Sequence, residues 1–281
     1  MVQLFTRLLL ATEHTEFDTG AEKLALAMAA RCKLPLAAVL PLVSNPEYEA
    51  LAPQVAARSE RDAAGKIARL RAQADAAAVV LDVHLRRGQD PYREIVDEAR
   101  DQKADLLIIR RRGKRSFLAN LLVGEMVAKV VAHAPCPVLI VPRDARMWSR
   151  RVLVAAEPGG QGRDLVATAL ALAAECGLPL QLLVLVAEPA QPTAPDAFVA
   201  DMLSLARKVG VAALAEVQSA KAASAILDCA DRSLADLIVI ARGGEGDDGR
   251  AVAAGMAQKV VGLSEYPVLV LHPSAMKGFT P

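Results

Sequence analysis

The chain is written twice, and that repetition constrains its fold more than any other feature. Arg7-Leu-Leu-Leu-Ala-Thr-Glu13 returns 144 residues later as Arg151-Val-Leu-Val-Ala-Ala-Glu157. At the same offset, residues 25–36 (ALAMAARCKLPL) are echoed by 169–180 (ALALAAECGLPL), which sets Cys32 on Cys176 and Pro35 on Pro179. Further along, Ala104-Asp-Leu-Leu-Ile-Ile109 matches Ala235-Asp-Leu-Ile-Val-Ile240, and Pro137-Val-Leu-Ile-Val141 matches Pro267-Val-Leu-Val-Leu271. Matched blocks in one unbroken order mark a tandem duplication, with domains expected at 1–143 and 150–273. The length of 281 residues suits two domains, at roughly 100–200 residues each.

Each half alternates short apolar runs with longer alanine-rich stretches of helical spacing. In the first half the runs fall at 8–11, 36–43, 79–85, 105–109 and 138–141, with helical patterns near 20–33, 50–76, 91–103 and 120–133. The second half repeats the runs at 152–155, 180–187, 211–217, 236–240 and 268–271. Continuous apolar runs suit strands buried on both faces, and the alternation demands a parallel sheet with helical crossovers. The expected class is α/β, with two tandem doubly wound five-stranded parallel sheets. Such sheets bind ligands beyond the carboxyl ends of their strands, here at the ends of the first and fourth.

Composition removes several function classes. Hydrophobic residues make up 53% of the chain, and 33 basic side chains face 32 acidic ones, so the chain can build cores and is not disordered. A net charge of +1 supplies no field to attract nucleic acid, and 5 Phe, 3 Tyr and 1 Trp offer few stacking platforms. Cys32, Cys136, Cys176 and Cys229 lie far apart without a C-x-x-C pair, which suits reduced thiols in a cytoplasm. Arg7 interrupts the first apolar stretch, and Glu175, Gly177 and Pro179 break the zone from Leu165 to Ala187. Neither reads as an export signal or a spanning helix, so no membrane role is expected. The linker 142–150 carries the single tryptophan, Trp148, expected to pack the halves together; the tail from Pro273 carries no signal.

The glutamate after strand one, the A-D-L entry to strand four and the closing H-A-P-C-P-V-L-I-V (133–141) resemble the universal stress protein family, over essentially the whole chain. The resemblance implies strand order 3-2-1-4-5 in each half and an internal pseudo-dimer packed through the fifth strands, Val138–Val141 and Val268–Leu271. It also implies a cytoplasmic stress-response protein. Nucleotide-binding members carry G-x2-G-x9-G-[S/T] after strand four, where backbone amides and a helix N-terminus hold phosphates.

In this chain that motif is altered. The first-half loop runs from Arg110 through Gly113 to Gly124 and Glu125. Arg110 stands in the first glycine position, ten residues rather than nine separate Gly113 from Gly124, and Glu125 replaces the hydroxyl. A carboxylate there is expected to repel a phosphate. The second half reads Ala241-x2-Gly244-x9-Ala254-Gly255, with the spacing intact but two glycines and the hydroxyl lost. The aspartate that members place after strand one is Glu13 here, following Thr12, and Glu157 in the second copy. The candidate cofactor-binding residues are therefore Thr12, Glu13, Arg110, Gly113, Gly124, Glu157, Gly244 and Gly255.

The two loops also diverge in charge. Residues 110–115 (RRRGKR) carry five cations, whereas Glu245, Asp247 and Asp248 stand in the second loop. Residues 1–144 hold 21 basic and 18 acidic groups, and residues 145–281 hold 12 and 14. The basic loop reads either as an anion clamp of guanidinium forks, with Arg110 facing the crevice, or as a solvated surface loop. Gly244-Glu-Gly246-Asp-Asp-Gly249 matches G-x-G-x-x-G formally, but that fingerprint belongs after the first strand of a unit.

Catalysis lacks a constellation. His14, His84, His133 and His272 are dispersed, no serine sits in a nucleophile elbow, and no metal-ligand set stands out. His14 reads as a polar loop residue at the crevice and His133 as a cation at a helix end. The cysteines read as packing residues. The sequence leads to a non-catalytic regulatory protein with degenerate nucleotide-binding loops and no assigned cofactor. The alternative is an ATP or adenine-nucleotide sensor working through 110–115. The partners left open are a nucleotide or other small anionic ligand, another protein, and a second copy of the tandem chain.

Overall fold

A computed structural model of the chain describes residues 4–111, 124–186, 193–218, 223–242 and 250–272. The chain divides into two compact units, one built mainly from 5–112 and 124–147, the other mainly from 148–281. In the first, β1 (Leu8–Ala11), β2 (Leu36–Val43), β3 (Leu81–Gly88), β4 (Leu106–Arg110) and β5 (Val138–Val141) form a parallel sheet in the order β3-β2-β1-β4-β5. The crossovers are α1 (Thr19–Cys32), α2 (Pro46–Leu51) with α3 (Pro53–Ala76), α4 (Pro91–Asp101) and α5 (Glu125–His133). Every residue of β1, β4 and β5 is buried, whereas β3 at the edge is mostly half-exposed. That gradient is expected of a sheet covered by helices on both faces.

The second unit repeats the design. Its strands β6 (Val152–Ala156), β7 (Leu180–Leu185), β8 (Ala213–Gln218), β9 (Leu237–Ala241) and β10 (Val268–Leu271) pair in parallel in the order β8-β7-β6-β9-β10. They alternate with α6 (Gly160–Cys176), α7 (Thr193–Lys208), α8 (Ala223–Ser233) and α9 (Arg250–Leu263). Trp148 is buried in this unit, where its indole N–H donates to Cys176 Sγ at 3.4 Å. Among the described residues no helix is long and apolar enough to cross a membrane.

The repeated A-D-L blocks have a structural reason. The Asp105 carboxylate accepts the backbone N–H groups of Thr6 and Arg7 at 2.8–3.1 Å, and Asp105 N–H donates to the Arg7 carbonyl at 3.0 Å. Asp236 does the same in its own unit, accepting from Ser149, Arg150 and Arg151 at 2.8–3.1 Å and donating to the Arg151 carbonyl at 3.0 Å. Each aspartate satisfies the lead-in to strand one from the start of strand four, with charge-assisted bonds.

Several expected boundaries shift by about two residues, such as the strands expected at 180–187 and 211–217, which lie at 180–185 and 213–218. Two further changes have a clear local cause. The helix expected over 50–76 divides at Ala52, because Pro53 has no N–H to continue a helix and opens a new one at its first turn. The third strand lies at 81–88 rather than 79–85, since Ala78 takes a left-handed φ of 54° and turns the chain after α3.

Candidate functional site

The registers fix what meets at the carboxyl ends of the central strands. In the first unit Ala11 lies opposite Ile109, so Arg110 comes level with Thr12. The chain then turns through His14, whose φ of 48° is left-handed, toward Asp18 at the start of α1. Arg110 Nη1 donates to Asp18 Oδ2 at 2.8 Å and to Thr15 Oγ1 at 2.7 Å, and Nη2 donates to Glu13 Oε2 at 2.7 Å. Thr15 closes the set by donating its own hydroxyl to Asp18 Oδ2 at 2.6 Å. Arg110 is 4% exposed and Asp18 1%. A guanidinium this deep needs such partners, because an unpaired buried charge is costly.

A second network joins Thr12, His14 and Glu22, while the other Asp18 oxygen, Oδ1, is buried without a hydrogen-bond partner. Thr12 Oγ1 donates to Glu22 Oε1 at 2.6 Å and accepts the His14 backbone N–H at 2.8 Å. His14 Nδ1 lies 2.9 Å from the same Glu22 oxygen. The residual space lined by Thr12, Glu13, Asp18 and Arg110 is about 10 Å³, the size of one water at most. The expectation of Arg110 as a clamp on an external anion does not fit this geometry. Its donors already face two carboxylates and a hydroxyl of the chain itself, and the adjoining carboxylates repel an anion.

The second unit reads differently at all but one of those positions. Ala155 lies opposite Ile240, so Ala241 stands where Arg110 stands in the first unit. At the 144-residue offset, Thr12, Thr15 and Asp18 become Ala156, Gly159 and Gly162, and only Glu13 persists, as Glu157. The result is a cavity of about 270 Å³ at the ends of β6 and β9. Its walls are apolar (Leu165, Leu185, Ile226, Ile240, Met256 and Val260), and Glu157, Arg242 and the Gly159–Gly162 turn border it. That volume lies just below the usual range for small-molecule sites, roughly 300–1,000 Å³. Glycine is required at two points of the turn. Gly159 has φ +139°, and a Cβ on Gly162 would lie 1.9 Å from the Glu157 carbonyl oxygen.

The other candidate residues are distributed as follows. Gly113 and Gly244 lie outside the described residues, as do residues 112–115 of the basic loop and the whole of 243–249. Gly124 is the N-cap of α5. Gly255 sits inside α9, where a Cβ would have no described atom within 4 Å. Glu125 does not face inward: its side chain is 81% exposed and paired with Lys129 Nζ at 2.6 Å. That hydrogen bond holds the Glu125 carboxyl below its ordinary range and raises the lysine. His133 lies beside the Tyr92 ring, with centroids 5.9 Å apart. Burial raises the Cys136 thiol to about 12 and the Cys229 thiol to about 11. Among the described residues, no three His, Cys, Asp or Glu side chains converge as a metal site.

Sequence reasoning missed Thr15 and Asp18, the partners of Arg110, and the glycine turn after β6. The signal was present, since the 144-residue offset already sets Thr15 on Gly159 and Asp18 on Gly162.

Comparison with known proteins gives a consistent result. The model of the universal stress protein family matches twice, over residues 4–142 and 149–272. A universal stress protein of Mycobacterium tuberculosis is 24% identical over 247 residues, covering 80% of this chain and 82% of that protein. A crystal structure of a universal stress protein from Archaeoglobus fulgidus superposes with a TM-score of 0.71 at 20% identity, covering 96% of this chain and 98% of the other. A functionally unknown protein from Pseudomonas aeruginosa PAO1 superposes with a TM-score of 0.68 at 16% identity, covering 98% and 95%.

Proposed function

The chain belongs to the universal stress protein family and is a stress-response protein, and from that premise we propose a regulatory role without catalysis, with the ligand-responsive site in the second unit only. One observation carries this reading. Equivalent crevices measure about 10 Å³ in the first unit and about 270 Å³ in the second. The first is filled by the chain's own Arg110, so its role is structural. The second keeps largely apolar walls with Glu157 and Arg242 among its lining, the usual character of a small-molecule site.

The lining of the second crevice supports the non-catalytic part. Its described residues include one carboxylate and one guanidinium but no serine, cysteine, histidine or lysine to act as nucleophile or proton shuttle. The alternative of an adenine-nucleotide sensor built on residues 110–115 gains no support from Arg110, whose two terminal nitrogens donate to Thr15, Asp18 and Glu13.

The test grafts the first unit's plug onto the second. Ala241→Arg places a guanidinium beside Glu157, as Arg110 lies beside Glu13. Wild-type and variant protein, purified natively from stressed cells, are compared by mass spectrometry for bound small molecules. A molecule that accompanies the wild type and is missing from folded Ala241→Arg is the expected result. A molecule that both carry equally would overturn the assignment to the second crevice.

A further inference from the structure

Between the ends of β2 and β3 and the bend that joins α2 to α3, the first unit has a groove of about 450 Å³. It shares no lining residue with the crevice at the ends of β1 and β4. Leu42, Val43, Leu51, Ala52, Val55 and Ala56 make its apolar lining. Leu51 is 82% exposed, Val43 67% and Val55 59%, so three large apolar side chains meet water around one depression. Isolated surface hydrophobics are ordinary, but a contiguous group around a concavity marks a contact surface. We propose that this groove is a two-fold interface with a second copy of the chain, in which Leu51 of each copy enters the groove of the other.

Shape and charge select that occupant. A two-fold contact uses one patch twice, so the patch must carry both halves of every interaction. Here knob and hollow occur together, because Leu51 projects from the end of α2 beside the hollow that Val43 and Val55 flank. The charges also come in both signs. Glu60 on α3 and Arg87 on β3 line the same groove, each about half exposed, and pair with one another at 2.7 Å. Across a two-fold axis, Glu60 of one copy meets Arg87 of the other and no charge is left unpaired. A partner of one sign, such as a nucleic acid or an anionic membrane, would be opposed by one member of the pair. The strand β3 is an open edge of the sheet, where exposed Asp82 and Arg87 guard against direct strand pairing. The copies therefore meet through side chains.

Sedimentation velocity on the full chain, over a range of concentrations, is the test. The wild type is expected to dimerise at micromolar concentrations. Leu51→Glu should be monomeric with an unchanged circular dichroism spectrum, because Leu51 is exposed in the single chain. Glu60→Arg and Arg87→Glu each set like charges against one another, so each should dimerise at least about tenfold more weakly. Mixed together, the two variants should recover the dimer, since the arginines of one then face the glutamates of the other. No effect confined to a single chain gives that recovery. A wild type that stays monomeric at millimolar concentration overturns the proposal, as does a Leu51→Glu dimer of unchanged affinity. Single charge variants that dimerise like the wild type, or a mixture that stays monomeric, overturn it too.

Discussion

Arg110 Nη1 lies 2.8 Å from Asp18 Oδ2, 92 residues away in sequence, with both side chains almost wholly shut off from solvent. The pair closes the first unit's crevice from within and ties the end of β4 to the start of α1. It is therefore a structural bond at a position where the fold elsewhere leaves room for a ligand.

Removing one member leaves a buried charge without its partner. Arg110→Ala is expected to destabilise the first unit by about 3–5 kcal/mol. Asp18→Ala should do nearly as much, and the double variant should cost much less than the sum, because the two act as one unit. Millimolar methylguanidinium should raise the melting temperature of Arg110→Ala and leave the wild type unchanged. Additive single effects in chemical denaturation, with no rescue, would refute the coupling.

This pair also marks how far the sequence could be read. The duplication, the buried central strands and the alternation of strand and helix were all visible, because each rests on local pattern. The positions of Thr12, Glu13 and Arg110 at the strand ends followed from the same pattern. What Arg110 bonds to did not, since Thr15 and Asp18 become its neighbours only once α1 has folded back beside β4. Five cations within the six residues 110–115 therefore suggested an anion site, whereas the first of them turns inward to carboxylates. The break at Ala52 is a different case: an alanine-rich stretch keeps helical spacing across Pro53, so periodicity alone runs the two helices together.

Two glycines of the second unit should respond in opposite directions. Gly162→Ala places a Cβ 1.9 Å from the Glu157 carbonyl oxygen, so backbone must move, at a cost of about 1–3 kcal/mol. Gly255→Ala meets no described atom within 4 Å in the interior of α9 and should stabilise by about 0.5–1 kcal/mol. Thermal melts read both; a stabilised Gly162→Ala or a destabilised Gly255→Ala would contradict these environments.

The buried thiols carry a pH dependence. Desolvation first, then the nearby Asp105 charge, raises Cys136 from 9.0 to about 12, and Cys229 rises likewise to about 11. At pH 7 folded and unfolded states both hold these protons. Above about pH 9 the unfolded thiols release them while the folded ones keep them, so stability falls from about pH 9 toward pH 12. Because the thiolate is the nucleophile, iodoacetamide at pH 8 should spare Cys136 and Cys229 in the native chain. Mass spectrometry should find label at Cys32 and Cys176 first and at all four only after denaturation; early modification of Cys136 would contradict its burial.

The aspartates before the fourth strands set a mechanical limit on any response. Asp105 and Asp236 fasten strands one and four of their units at the amino-terminal edge, opposite the edge where the crevices lie. With that edge bolted, β6 and β9 cannot slide past each other by a residue when the second crevice fills. If the second crevice takes a ligand as proposed, any displacement is expected at the opposite edge, where α6 and α9 begin, as a clothes peg opens away from its spring.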